Sequence, residues 1–154
     1  MEPEIQYLKE RTTPHGAPPA LQRQAKIRLL GQLGHFPVWL VDGPAVRRLF
    51  DCDFVMGSHF AHSRFIPQGE VWVEKMIGPR DLYPLLVHEM VELYKMIEGW
   101  SYERGHDLAT KIEQTIRAKN TFTLTRAGAM RRAAEFLAAG APVPKAASPR
   151  RRRA

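Results

Sequence analysis

Two helix-length apolar patterns, Leu82 to Glu98 and Tyr102 to about Arg117, are separated only by Gly99-Trp100-Ser101. A connection that short joins neighbouring helices as an antiparallel hairpin. Any fold this chain adopts has to be built around that hairpin. In its first helix Leu86, Val87, Met90, Leu93, Tyr94 and Ile97 form the side that faces a core, and Pro84 is expected in the first turn, where a missing N–H is harmless. Gly99 ends this helix, and Ser101 caps the second. A third, alanine-rich helix is expected from Arg126 to about Ala139, with Thr125 as its cap.

Upstream the pattern shortens. Ala20 to Leu33 reads as a helix, with Leu21, Ala25, Ile27, Leu29, Leu30 and Leu33 among Arg and Gln and with Gly34 as its C-cap. Phe36 to Val41 is β-branched and aromatic and reads as a strand closed by the turn dipeptide Asp42-Gly43. Pro44 to Phe50 reads as a short helix. Arg64 to Pro67 and Glu70 to Glu74 read as two strands around Gln68-Gly69, with Val71 and Val73 facing opposite to Trp72. The expected fold class is α+β: a small, mainly antiparallel sheet packed on three or four helices, with the hairpin 82–117 carrying any site.

At 154 residues one domain is expected. Its limits are set by proline. Pro3, Pro14, Pro18 and Pro19 make residues 1–19 a loosely ordered lead-in, although Ile5 to Leu8 has the composition of a short strand. Pro142, Pro144 and Pro149 with an arginine run make 141–154 a disordered basic tail, which leaves 20–140 as the domain. The formal charge of +7 has the same division. The tail holds five basic residues and no acid, so residues 1–140 carry 18 basic against 16 acidic groups and are nearly neutral. No apolar run is long enough for a membrane span, the N-terminus lacks signal-peptide layout, and a lone Cys52 fits a reducing compartment; a cytoplasmic protein is expected. There is no internal repeat, glycine-rich phosphate loop or zinc-finger cysteine pair.

The chemistry-bearing pattern lies in the hairpin. In Leu86-Val87-His88-Glu89-Met90-Val91-Glu92, His88 and Glu92 are four apart and share a helix face, with Lys95 beyond them and Glu89 at the edge. Taken alone, this stripe equally describes the solvated side of an amphipathic helix. His106 shifts the balance. Glu92 lies six residues before Glu98 and His106 five after Ser101, so at about 1.5 Å per residue both sit roughly 8–9 Å from the turn. They should be level in the hairpin. His88, Glu92 and His106 then offer two imidazoles and a carboxylate, the donor set of a catalytic zinc site with a fourth position for water, and Glu89 is the candidate general base. The metal-free alternative is that His106 is a partly buried histidine hydrogen-bonded to Glu92. Glu113, on the same side of its helix as His106, is a candidate supporting carboxylate.

His88-Glu89-x-x-Glu92 with a downstream His106 resembles the zincin-like metallopeptidases, whose signature is His-Glu-x-x-His with a later third ligand. Glu92 stands where zincins have their second histidine. The resemblance implies zinc, hydrolysis of a peptide or protein substrate, and a substrate-binding edge strand before the motif helix, here Glu70 to Glu74. Residues 38–113 are also similar to a bacterial and phage protein family without a settled activity, through Val41-Asp42-Gly43, Gly57-Ser58-His59, Phe65-Ile66-Pro67, Glu70-Val71-Trp72-Val73, His88-Glu89 and His106.

His59 and His62, in an expected loop, are candidates for an extra ligand or a transition-state donor. Cys52, between Asp51 and Asp53, has no cationic neighbour to make a thiolate, and Trp39, Trp72 and Trp100 read as packing residues. Arg150, Arg151, Arg152 and Arg153 give a second functional reading, a non-catalytic accessory protein that binds nucleic acid weakly through its tail while the polar cluster is structural.

Overall fold

The computed structural model describes residues 17–119 and 125–140. Within them the chain runs α1 (Pro19–Ala25), β1 (Lys26–Leu33), β2 (Phe36–Val41), α2 (Gly43–Leu49), β3 (Gly57–His59), β4 (Val71–Glu74), α3 (Pro79–Ile97), α4 (Tyr102–Lys119) and α5 (Arg126–Ala138). The fold is α+β, five helices with a four-stranded sheet in the order β1-β2-β4-β3. The sheet is mixed where a mainly antiparallel one was expected. β1–β2 and β3–β4 are antiparallel, but β2 and β4 run parallel from Val38↔Val71 to Val41↔Glu74. The chain leaves β2 through α2 and β3 before returning as β4, a connection long enough for a parallel crossover.

Residues 26–33, expected to be helical, form β1, so the helix begun at Pro19 stops at Ala25. Gly34, with φ of 57°, and His35 form the two-residue turn of the β1–β2 hairpin in place of a helix cap. β1 hides its strand character because it is an edge: Ile27 and Leu29 are 49% and 50% exposed. Two register irregularities, at Lys26/Arg28 and Leu29/Gly31, break its alternation. Asp42-Gly43 likewise is not a hairpin turn. Asp42 Oδ1 accepts from Ala45 N at 3.3 Å and caps α2, and a Cβ on Gly43 would overlap the Glu74 carboxylate.

Arg64 to Pro67 is not a strand. Turns with Ile66 N donating to Ser63 O and Glu70 N to Pro67 O, both at 3.1 Å, bend this segment so that Ile66 is buried and Phe65 stacks on Phe50 at 5.2 Å. The partner of β4 on that side is β3, only three residues long and containing a glycine.

α3 is the centre of the molecule. It starts at Pro79, earlier than expected, which moves Pro84 into the second turn, where it cannot donate to the Arg80 carbonyl. Every residue from Leu82 to Leu93 is buried, because α3 packs against β3, α4 and α5. Trp72, Phe36, Leu86, Met90 and Leu93 are among the largest fully buried side chains. The hairpin turns at Gly99, φ 99°, with Trp100 N donating to Lys95 O at 2.9 Å, and Ser101 Oγ accepts from Arg104 N at 3.3 Å. Thr125 caps α5 through Gly128 N at 3.0 Å. The expected strand at Ile5 to Leu8, residues 1–16 of the lead-in, and the tail 141–154 with Arg150 to Arg153 lie outside the described residues. Among the described residues no helix is long and apolar enough to cross a membrane.

Candidate metal centre

With Leu82 to Leu93 of α3 buried, the His88, Glu89 and Glu92 part of its polar stripe cannot be a solvated face. His88, Glu89 and Glu92 are 7%, 6% and 3% exposed. Burying three ionisable groups on one helix is costly unless they are paired or bind an ion, and the neighbours supply partners. α4 crosses alongside and brings His106 level with Glu92, Nδ1 to Oε2 at 2.8 Å. His88 Nε2 lies 3.2 Å from His106 Nδ1 and 3.4 Å from Glu92 Oε2.

These three atoms therefore form a triangle with sides of 2.8, 3.2 and 3.4 Å. Donors bonded to one tetrahedral zinc at about 2.0–2.2 Å stand roughly 3.3–3.5 Å apart, so the trio fits such an ion after a few tenths of an ångström of adjustment. Two imidazole nitrogens facing each other beside a carboxylate oxygen are also the right donor chemistry for zinc.

The supporting contacts orient this trio. Glu113 Oε1 is 2.8 Å from His88 Nδ1, an ion-pair contact off the line of a good hydrogen bond. Glu113 Oε2 accepts from Arg117 Nε at 2.8 Å, and Arg117 Nη1 reaches Asp81 Oδ1 at 2.6 Å. A carboxylate behind a histidine orients the ring, leaving Nε2 toward the centre. His59, expected in a loop, ends β3 with no exposed surface, its Nε2 2.8 Å from Glu92 Oε1.

The electrostatics follow. Burial works against the His88 cation, yet Glu113 and Glu92 outweigh it and push its pKa up to about 10. Burial opposes the Glu92 carboxylate, but contacts with His59, His88 and His106 hold its carboxyl well below the usual range. Glu89 is pushed up to about 8, by burial first and then by Glu92. Contact with His88 is the largest influence on Glu113 and, despite burial, lowers it with help from Arg117.

A cavity of about 300 Å³ opens onto this cluster, lined by His88, Glu89, Glu92, His106 and Glu113 and by Tyr102, His62, Asp51 and Asp53. Tyr102 Oη lies 3.5 Å from His106 Nδ1, and the His62 ring stacks on Tyr102 at 3.6 Å. Burial of Tyr102, then the Glu92 charge, pushes the phenol up to about 12, so it remains a proton donor; burial lowers His62. Nothing in the sequence marked Tyr102 for a role beyond its position one turn before His106. Asp51 and Asp53 flank Cys52 in an exposed turn, where Asp51 Oδ1 accepts from Asp53 N at 2.9 Å.

The expected substrate-binding edge strand needs correction. Val71–Glu74 lies between β2 and β3 with both sides hydrogen-bonded, and the edge beside the cavity is β3, whose Gly57 and Ser58 line it. No protein-family model, curated protein or solved structure matches the sequence.

Proposed function

We propose that this protein is a zinc-dependent hydrolase of peptidase-like chemistry, with His88, Glu92 and His106 as ligands. The observation that carries the reading is the part-buried 2.8–3.4 Å triangle of two imidazole nitrogens and a carboxylate oxygen at the side of a cavity. When bound, zinc would supply Lewis acidity, lowering the pKa of a water and polarising a carbonyl.

The remaining work falls to the chain. Glu89, next to the first ligand and lining the cavity, is the general base: its carboxylate takes the proton of the attacking water and returns it to the leaving amine. Burial keeps this carboxyl near neutrality in the metal-free protein, and a nearby cation would favour its ionised form. Glu113 and Arg117 hold the His88 ring, and His59 holds Glu92 so that Oε2 faces the histidines. Tyr102 and His62 offer donors to a substrate in the cavity.

Metal analysis of protein prepared without an affinity tag and dialysed against metal-free buffer tests the reading. The expected result is about one tightly held zinc per chain, as a set of three protein ligands with one open position implies, lost in His88→Ala and His106→Ala. Glu89→Gln should retain the ion and lose peptide hydrolysis by about 10²–10⁴-fold. Fully folded protein that takes up no zinc would return the cluster to a structural role.

A further inference from the structure

Glu92 gives its two oxygens to different neighbours. Oε2 faces His88 and His106, whereas Oε1 faces His59 Nε2 at 2.8 Å. Glu89 completes a second group: one ligand atom from each of His59, Glu89 and Glu92 lies within 4.8 Å of the others, and all three residues are buried. The two groups have only Glu92 in common.

A separate observation concerns the His59 ring. Its Nδ1 is buried and has no hydrogen-bond partner, although buried ring nitrogens are normally satisfied. The Glu92 carboxylate can only accept, so Nε2–H donates to it in the metal-free protein, while nothing holds Nδ1. A cation at Nε2 would take its lone pair with the ring proton moved to Nδ1, where no existing hydrogen bond is broken. Two buried carboxylates side by side, Glu89 and Glu92, also repel unless a positive charge lies between them.

Building on the zinc reading above, we propose that His59, Glu89 and Glu92 form a second, weaker divalent-cation position, joined to the first through Glu92 as a bridging carboxylate. Its weakness follows from composition. Two of its three donors, Glu89 and the shared Glu92, already have duties at the first position, and Glu89 must stop acting as a base to serve as a ligand. Filling the second position therefore withdraws the proton acceptor, so one zinc supports hydrolysis and a second suppresses it.

The test is zinc stoichiometry on the full chain in a Cys52→Ser background, which removes the thiol of the exposed Asp51-Cys52-Asp53 group. Isothermal titration with Zn²⁺, with metal analysis before and after dialysis, should give two equivalents, the weaker lost on dialysis. His59→Gln and Glu89→Gln should each hold one. A single equivalent at saturating zinc overturns the second position and leaves the first intact, while no zinc at all overturns both. Two equivalents retained in both folded variants would show that other residues hold the weaker ion.

Discussion

Glu92 is the residue on which the centre turns, because three histidines meet its carboxylate in the interior. The protons around it define a pH dependence. His88, raised to about 10, and Glu89, raised to about 8, each hold a proton in the metal-free fold at pH values where the unfolded chain has lost it. A raised folded pKa stabilises fully below the unfolded value, and that stabilisation is lost as pH climbs through the folded one. Glu89 thus weakens the metal-free fold from about pH 4.5 to 8, and His88 weakens it from about 6.5 to 10. Bound zinc would replace the His88 proton and favour loss of the Glu89 proton, so its stabilising effect should grow with pH. Thermal melts with and without zinc should give a larger rise in Tm at pH 8.5 than at pH 6; an equal or smaller rise would refute proton displacement. In the sequence, His88, Glu89, Glu92 and His106 were legible as a group because helical spacing and the short turn fix their heights. His59 was legible only as a separate loop candidate, since it meets Glu92 from 33 positions away through a sheet that no local pattern announces. Whether the stripe faced water or the interior depended on the same distant packing.

Elements were read well where periodicity and caps agreed, as in α3, α4 and α5, and poorly where tertiary contacts replaced local signals. β1 carries helix-like leucines because an exposed, twice-interrupted edge needs no strict alternation. β3 is too short for a pattern, and Arg64 to Pro67 has strand composition but serves to bury Ile66 and to stack Phe65. The β1–β2 turn shows how a single residue decides such a case. Gly34 adopts a φ of 57°, and a Cβ there would stand 2.5 Å from the Tyr94 hydroxyl of α3. Gly34→Ala adds left-handed strain of about 1–2 kcal/mol and forces Tyr94 to move. At roughly 2–4 °C per kcal/mol for a chain of this size, Tm should fall by about 4–8 °C once both effects are counted. An unchanged Tm in calorimetry would mean that the turn does not hold this conformation in solution.

At the scale of the molecule, the two functional readings rest on opposite charge, an acidic cavity and a basic stretch of sequence. Among the described residues the cavity is lined by Asp, Glu and His and by no Lys or Arg, so it disfavours phosphate. The excess basic charge is in residues 141–154, whose removal takes the formal charge from +7 to +2. If the tail reading holds, deleting 141–154 should abolish salt-sensitive binding to a DNA duplex in a gel-shift titration, and retained binding would reject it. The centre, in contrast, ties α4 to the helix at the middle of the core, so an ion there should stabilise the whole fold. Ligand at about a thousand times its Kd contributes roughly 4 kcal/mol, on the order of 8–16 °C in Tm here. His106→Ala separates this effect from ordinary packing. Its side chain is 42% exposed, and Glu92 keeps His59 and His88 when it is removed. The metal-free variant should therefore melt within about 3 °C of the parent, as partly exposed substitutions do, yet gain little from zinc. A variant still stabilised as strongly as the parent would show that His106 is not a ligand and that the ion is held by α3 and β3 alone.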